Sequence, residues 1–165
     1  DAAERAANAQ RLQAGAQAVL AEVPGATLAQ DSAGRLTDIA IDHSEFAHLD
    51  EDRIAAVVAV MRAHGLTATV SSIHINGWIG GHNKPSGARW AVQQALGRPW
   101  EPAEWVYVGD STNDQAMFEC MPLSVGVANI ARFVAQLRAW PGYVTQAERG
   151  DGFAELATAL LAARG

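Results

Sequence analysis

Residues 105–118, WVYVGDSTNDQAMF, hold the side chains of this sequence that are best suited to chemistry. An uncharged segment ends at Gly109, and two carboxylates, Asp110 and Asp114, follow it four residues apart. Carboxylate oxygens are hard ligands that suit Mg²⁺, which usually keeps several waters and a substrate phosphate as well. A helix that begins here would add backbone N–H groups and a partial positive charge, which favour a bound anion. The segment therefore predicts a magnesium and phosphate site.

A purely structural explanation of the same loop stays open. Asp, Ser, Thr and Asn are the usual N-cap residues of helices, so an ordinary strand-to-helix turn would use the same residue types. A cap needs one such side chain, whereas residues 110–114 supply five in a row. The surplus favours a functional loop.

Composition and charge exclude several classes of function. The 165-residue chain has 18 acidic and 12 basic residues and a formal net charge of −6, so it offers no Lys/Arg-rich face for nucleic acid. No apolar run approaches the ~20 residues of a membrane span. A single cysteine, Cys120, excludes an internal disulfide and fits a reducing compartment. We therefore expect a cytoplasmic protein that binds neither nucleic acid nor a membrane.

The elements around the acidic loop predict two domains. Residues 1–80 show the order helix, strand pair, helix, strand pair, with Asp50 as the N-cap of the second helix and Gly65 just past its end. After a flexible joint at residues 80–83, a helix is predicted from Lys84 to Gly97. Uncharged strands then alternate with helices, which is typical of a parallel sheet that is covered on both faces. The predicted strands are WVYVGD, LSVGVAN and GYVT, and the helices are NDQAMFECM, ARFVAQLRAW and GFAELATALLAAR.

In such a sheet, ligands bind beyond the carboxyl ends of the strands. Asp110 stands at such an end, and Asp114 opens the next helix, from which it can turn back toward the same point. Lys84 is the one lysine among the 12 basic residues of the chain. We therefore single it out as a possible specialised cation, with a solvated surface lysine as the open alternative.

Taken together, these motifs resemble the haloacid dehalogenase (HAD) superfamily, in its Cof-like, class IIB sugar-phosphatase branch. GDSTND resembles the fourth motif of that family, GDxxND. Asn83-Lys84 at a helix start, followed by Gly87, resembles the third motif, and SVGVANI and YVT…RGDGFAEL resemble its closing segments. The resemblance implies an α/β, HAD-like (Rossmannoid) fold. Residues 1–80 would form a small α+β (αββαββ) class IIB cap, and residues 81–165 the C-terminal half of the parallel core.

The resemblance also implies a Mg²⁺-dependent phosphatase that works through an aspartyl-phosphate. It assigns Asp110 to the metal, Asp114 either to the support of the metal ligands or to an auxiliary metal position, and Asn113 to the phosphate or to the loop itself. Lys84 would neutralise the phosphoryl group and the nucleophile. Phosphoryl transfer depends mainly on positioning and charge neutralisation, which a divalent ion and an ammonium group supply.

Two motifs that the resemblance implies are missing. The nucleophile should be the first aspartate of a DxD motif after a core strand, and a Ser or Thr should follow another core strand. Asp50-Glu51-Asp52 has the DxD spacing but opens a helix, and Ser71-Ser72 follows the second helix of the cap. The chain also begins at Asp1 without methionine. We therefore expect a fragment that lacks roughly 60 residues or more of the core and does not turn over by itself.

The segment IHINGWIGGHN, residues 73–83, leads from the predicted cap into the core and supplies candidate substrate contacts. A Trp stacks on a sugar face, and His and Asn hydrogen-bond to hydroxyls; an ordinary half-buried strand would show the same alternation. The candidates are His74, Asn76, Trp78 and His82. The expected partner is a small phosphorylated metabolite, and the resemblance of the short cap to the caps of sugar-phosphate phosphatases favours a sugar phosphate.

Two other functions are weighed against a phosphatase. One is a non-catalytic ligand-binding module without the front half of the core. The other is a phosphomutase of the same branch, whose fourth motif usually carries a Gly-rich insertion that GDSTND lacks.

Overall fold

The computed structural model of this protein describes residues 1–163. The chain divides into two compact units, of which the first spans Asp1–Gly81 and the second begins at His82. The predicted boundary, after residue 80, lies one residue earlier. Among residues 1–163, no helix combines the length and the apolar character that a membrane crossing requires.

The first unit has the helix–strand–strand order predicted from the sequence. Its four strands form one sheet in the order β1-β2-β4-β3, and all neighbouring strands are antiparallel. A short 3₁₀ turn, Ser32–Gly34, lies between the first two strands. The elements are α1 (Ala2–Glu22), β1 (Thr27–Leu28), β2 (Asp38–Asp42), α2 (Glu51–Ala63), β3 (Thr67–Val70) and β4 (His74–Trp78).

Local signals account for the ends of α2. The side chain of Asp50 accepts a hydrogen bond from the backbone N–H of Arg53 at 2.9 Å, as an N-cap should. Gly65, with a φ of 72°, lets the chain turn away just past the helix.

Helices α1 and α2 cover one face of this sheet. β4 alternates, with Ile75 and Gly77 buried and the side chains between them half-buried on the opposite face. Ile75 packs with Ile41 of β2 and with apolar residues of both helices, so the core of this unit lies between the sheet and the helices. The most deeply buried members are Val19, Ile41, Val57, Met61 and Ile75.

The second unit carries a parallel sheet with helices beside it. Its strands lie in the order β5-β6-β7, and the register places Gly109 beside Gly126 and Gly126 beside Val144. All three strands therefore end at one edge, as the prediction of a parallel sheet requires. The elements are α3 (Lys84–Trp90), β5 (Val106–Gly109), α4 (Gln115–Cys120), β6 (Leu123–Gly126), β7 (Tyr143–Val144) and α5 (Arg149–Ala162).

The helix predicted at ARFVAQLRAW is wrong in type, because Ala128–Gln136 winds as 3₁₀ turns instead of an α-helix. The three-residue period of this winding puts Ile130 and Phe133 on one side, where they pack with Phe118. The helix predicted from Lys84 to Gly97 is α-helical only to Trp90 and continues as a π-type turn.

Helices lie beside both faces of the parallel sheet, as predicted, although the coverage is incomplete. Leu156 and Leu160 of α5 line the same cavity as Leu123 and Tyr143, and Met117 of α4 lines a cavity with Tyr107. Val106 is 37% exposed, Leu123 40% and Tyr143 64%. Arg164, the last residue of the predicted C-terminal helix, lies outside the described part of the chain.

Candidate functional site

The second unit brings together four of the residues predicted to do chemistry. Asn83 caps α3, because its Oδ1 accepts the backbone N–H of Ser86 at 2.9 Å, and so it fixes the position of Lys84 at the first residue of the helix. Lys84 Nζ donates to Asn113 Oδ1 at 3.0 Å and also to Asp114 Oδ1. Asp110 follows β5 directly, at the carboxyl edge of the sheet. The lysine at the start of α3 and the GDSTND loop thus meet at one point.

Asp114 is the centre of this arrangement and is only 2% exposed. Its Oδ1 accepts from Lys84 Nζ and from the hydroxyl of Tyr107. Its Oδ2 accepts from the backbone N–H groups of Asp110, at 2.8 Å, and Ser111, at 3.1 Å. This one carboxylate therefore ties the lysine, strand β5 and the loop after it into a single unit.

These partners keep Asp114 ionised. Burial by itself would raise the pKa of Asp114, but the hydrogen bonds from Lys84 and Tyr107 outweigh it and leave the pKa below the ordinary carboxyl value. Burial also raises the pKa of Tyr107, and the adjacent Asp114 raises it further, so the phenol stays protonated and continues to donate.

The close approach of Asp114 to the strand explains Gly109. A Cβ added at Gly109 would lie 2.6 Å from Cγ of Asp114, closer than carbon atoms pack. Any larger residue at this position would therefore displace the carboxylate that holds the loop.

Asp110 is half-buried and is contacted by Asn129, which lies in the segment that follows β6. Asn129 Nδ2 donates to Asp110 Oδ2 at 3.2 Å, and Asn129 Oδ1 accepts from the backbone N–H of Arg149 at 3.0 Å. Arg149 is the one non-glycine residue with a positive φ, 53°, in the described part of the chain.

These groups surround an open pocket of about 420 Å³ in the second unit. One ammonium group and two carboxylates face it together with the aromatic ring of Tyr107. Such a set of side chains suits a phosphate ester. The ammonium group would offset the negative charge of the phosphate, and the carboxylates would hold a metal ion that accompanies it. The lining residues are Lys84, Tyr107, Val108, Gly109, Asp110, Asp114, Val127, Arg149, Gly150 and Phe153.

The donor set fits Mg²⁺ of the kind that is shared with a substrate. Within residues 1–163, no three His, Cys, Asp or Glu side chains gather into a metal cage. Mg²⁺ at phosphate sites commonly uses one or two carboxylates and completes its shell with waters and phosphate oxygens, and Asp110 at the strand end suits this role. Ligation by Asp114 stays a prediction, and it would require this carboxylate to give up one of its four hydrogen bonds.

The predicted substrate contacts lie elsewhere in the chain. His74, Asn76 and Trp78 occupy alternate positions of β4 in the first unit, half-buried on the face that points away from the helices. His74 Nε2 lies 2.9 Å from Glu45 Oε2. His82, which was grouped with these cap residues from the sequence, belongs to the second unit.

Tyr107 and Asn129 belong to the site but were not predicted from the sequence. Tyr107 is the only hydrogen-bonding side chain in the VYVG strand, and Asn129 stands in a segment matched to the family without a role. The signal for Asn129 was available: the loop after a neighbouring parallel strand reaches the same sheet edge as Asp110.

Solved structures with this arrangement of elements are known. A protein of Thermoplasma acidophilum, 0175, superposes with a TM-score of 0.60 at 15% identity, over 92% of this chain and 60% of its own. The sucrose-phosphatase of Synechocystis sp. PCC6803, solved with sucrose and phosphate, superposes with a TM-score of 0.63 at 18% identity, over 92% of this chain and 63% of its own. The chain has a haloacid dehalogenase-like fold.

The HAD-like fold predicted from GDSTND and its companion motifs is therefore confirmed. At these identities the likeness concerns the fold alone. The chain spans less than two thirds of the length of either structure. No protein-family model and no curated protein matches the sequence.

Proposed function

We propose that this chain belongs to a Mg²⁺-dependent phosphatase that acts on a small phosphorylated metabolite. The observation that carries the proposal is the meeting of Lys84, Asn113 and Asp110 around the buried Asp114, at the carboxyl edge of a HAD-like sheet. In open α/β sheets this edge is where ligands bind.

Each residue has a role that follows from its contacts. Lys84, aimed by Asn113 and Asp114, places a positive charge beside the pocket and would neutralise the transferring phosphoryl group. Asp110 would hold Mg²⁺, which, when bound, supplies a Lewis acid to a phosphoryl oxygen. Asp114 holds the loop and the lysine in place, since its carboxylate accepts hydrogen bonds from both.

The proposed reaction also requires a nucleophilic aspartate, and none of the residues assigned to the candidate site has this role. Asp50, the first residue of the only DxD sequence, caps α2 through the backbone of Arg53 and does not follow a strand. In our proposal the aspartyl-phosphate step uses an aspartate that this chain does not supply, and we expect the chain alone to bind the substrate without turnover.

The proposed substrate is a phosphorylated sugar. Support comes from the polar side chains of β4, in which Trp78 offers a ring and His74 and Asn76 offer hydrogen-bonding groups to a polyol. We further propose a cytoplasmic location and no nucleic-acid partner, in line with the acidic net charge of −6.

The alternative function is a non-catalytic module that binds phosphorylated ligands. An assay of phosphate release distinguishes the phosphatase from the binding module. The protein made from the full reading frame is incubated with a panel of sugar phosphates, once with Mg²⁺ and once with EDTA. Mg²⁺-dependent release supports the phosphatase. Binding of the same esters without release, by a product with no DxD motif, supports the module.

A further inference from the structure

Asn129 is a buried polar residue with no role in the reaction described so far. Its side chain is 5% exposed, and burying an amide without partners would be costly. Both ends of this amide have partners, since Nδ2 donates to Asp110 and Oδ1 accepts from Arg149. The residue therefore connects two parts of the pocket rim that are distant in sequence.

The backbone before Asn129 is held from both sides. The N–H of Val127 donates to the carbonyl of Gly109 at 3.0 Å, and the N–H of Ala128 donates to the carbonyl of Ala147 at 3.1 Å. These two bonds attach the segment to the end of β5 and to the loop before α5. Asn129 thus projects from a fixed base.

The contact with Arg149 is in effect a helix cap. Glu148 stands at the N-cap position of α5 but makes no capping hydrogen bond with its side chain. The N–H of Arg149, the first of the unpaired N–H groups at the helix start, is satisfied by Asn129 Oδ1 instead. The same bond holds Arg149 at a φ of 53°, a conformation that non-glycine residues avoid without support.

We propose that Asn129 is a positioning residue, whose single amide group aims the carboxylate of Asp110 and caps α5 at the same time. The inference rests on the proposed function, because aiming Asp110 matters only if Asp110 holds a metal. Only a planar group with a donor at one end and an acceptor at the other serves both contacts. Aspartate would retain the bond from Arg149 but lose the donor toward Asp110, and alanine would lose both.

The first test uses Mg²⁺ alone and the 165-residue chain in NMR titrations. In wild type, Mg²⁺ should shift the amide signals of residues 109–111 and, through Asn129, that of Arg149. Removal of a group that orients a metal ligand commonly weakens metal binding by about 10–100-fold, so we expect Asn129→Ala to raise the Kd by about tenfold or more. The matched control is Asn8→Ala in α1, which should leave the Kd unchanged. An Asn129→Ala variant that binds Mg²⁺ within twofold of wild type would overturn the proposal.

A second variant separates the two contacts. Glycine adopts a positive φ readily, so Arg149→Gly should restore part of the Tm that Asn129→Ala loses. It should not restore the Mg²⁺ affinity, because the donor to Asp110 is still missing. Recovery of the affinity in the double variant would show that Asn129 acts only through the α5 loop, and this would contradict its role toward Asp110.

A third readout needs no metal and keeps the outcome distinct from that of the proposed function. The side-chain amide protons of Asn129 should exchange slowly in wild type and much faster in Asp110→Ala, whereas those of Asn8 should not respond. If the wild-type chain ignores Mg²⁺ while Asn129 remains protected by Asp110, the metal function fails and the contact stands. If Asn129 exchanges as fast as Asn8 in wild type, the positioning proposal fails by itself.

Discussion

Lys84 is the residue on which the proposed chemistry most depends. Its ammonium group donates to Asn113 and Asp114, although 44% of its side chain is exposed. A compact ammonium group can reach a phosphoryl oxygen from this position, whereas the planar fork of arginine is wider and differently aimed. A solvated surface lysine would show neither of these contacts.

We predict that Lys84→Arg, in the full-length protein, loses most of its activity although the charge is preserved. Removal of a well-placed charge contact typically costs about 100-fold in rate. The measurement is kcat on a generic phosphate ester. Arg89→Lys, on the exposed side of the same helix, is the matched control and should change little. Near-normal turnover by Lys84→Arg would mean that Lys84 is only a surface residue.

Tyr107 offers a second test at a single atom. Tyr107→Phe removes the hydroxyl that donates to Asp114 and leaves a buried carboxylate with one partner fewer. We expect a loss of about 1–3 kcal/mol in the free energy of unfolding, measured with urea. Tyr143→Phe is the control, since this ring is 64% exposed. Equal stability of the two variants would contradict the role given to the Tyr107 hydroxyl.

The buried carboxylate of Asp42, at the end of β2, leads us to expect that the free energy of unfolding of the first unit depends on pH. It is 3% exposed, and its carboxylate accepts from four backbone N–H groups, those of residues 44–47, at 2.9–3.1 Å. Burial by itself would raise the pKa of Asp42, but these hydrogen bonds outweigh it and lower the pKa. The stabilisation is therefore present above the ordinary aspartate pKa, about 4, and is lost as the pH falls through the lower folded value.

Replacement of Asp42 by Asn places an NH₂ group against backbone donors, so we expect Asp42→Asn to lose about 1–3 kcal/mol at pH 7. The variant should also lose part of the acid dependence, as followed by urea unfolding between pH 7 and pH 3. Asp52→Asn, an exposed carboxylate on α2, should change stability by less than about 0.5 kcal/mol. An acid profile of Asp42→Asn identical to that of wild type would exclude the depressed pKa.

At the scale of elements, local signals predicted most of the structure. The N-cap at Asp50, the glycine after α2 and the uncharged strand before Asp110 lie where expected, because each depends on neighbours in sequence. The 3₁₀ winding of residues 128–136 depends on packing between Ile130, Phe133 and Phe118, which no local pattern contains.

The residues of the candidate site also fall into two groups, those that a local motif predicts and those that it does not. Lys84, Asn113 and Asp110 belong to contiguous motifs and were identified from them. Asn129 contacts Asp110 because β6 pairs with β5, and Tyr107 contacts Asp114 because the loop after β5 folds back on the strand, so both contacts depend on the tertiary structure. Sequence spacing cannot show which polar side chain of a neighbouring loop turns inward.

The end of β5 gives a prediction at the element scale. Gly109→Ala would drive a Cβ into Asp114, and we expect a cost of about 1–3 kcal/mol as the buried carboxylate shifts. Gly87→Ala in α3 is the paired control, because a Cβ there meets nothing within 4 Å and alanine favours a helix by about 0.5–1 kcal/mol. Urea midpoints should therefore move in opposite directions. A Gly109→Ala variant as stable as Gly87→Ala would refute the close approach.

At the scale of the whole molecule, the order of elements was sufficient to predict an α+β unit followed by a parallel α/β unit. How completely the helices cover the parallel sheet was not predictable from the strands, because apolar strand residues look the same whether or not something covers them. Val106 and Tyr143, which stay partly exposed beside α5, illustrate this.

The central claim is that Asp110 serves a metal-dependent phosphatase, and Asp110→Ala tests it most directly. The measurement is phosphate-ester hydrolysis by the full-length wild type and by this variant, with Mg²⁺ and with EDTA, alongside the Tm of each. We predict turnover in wild type that requires Mg²⁺, and a loss of about 100-fold or more in Asp110→Ala with a Tm close to wild type. Turnover that EDTA leaves unchanged, or near-normal turnover by Asp110→Ala, would contradict the account.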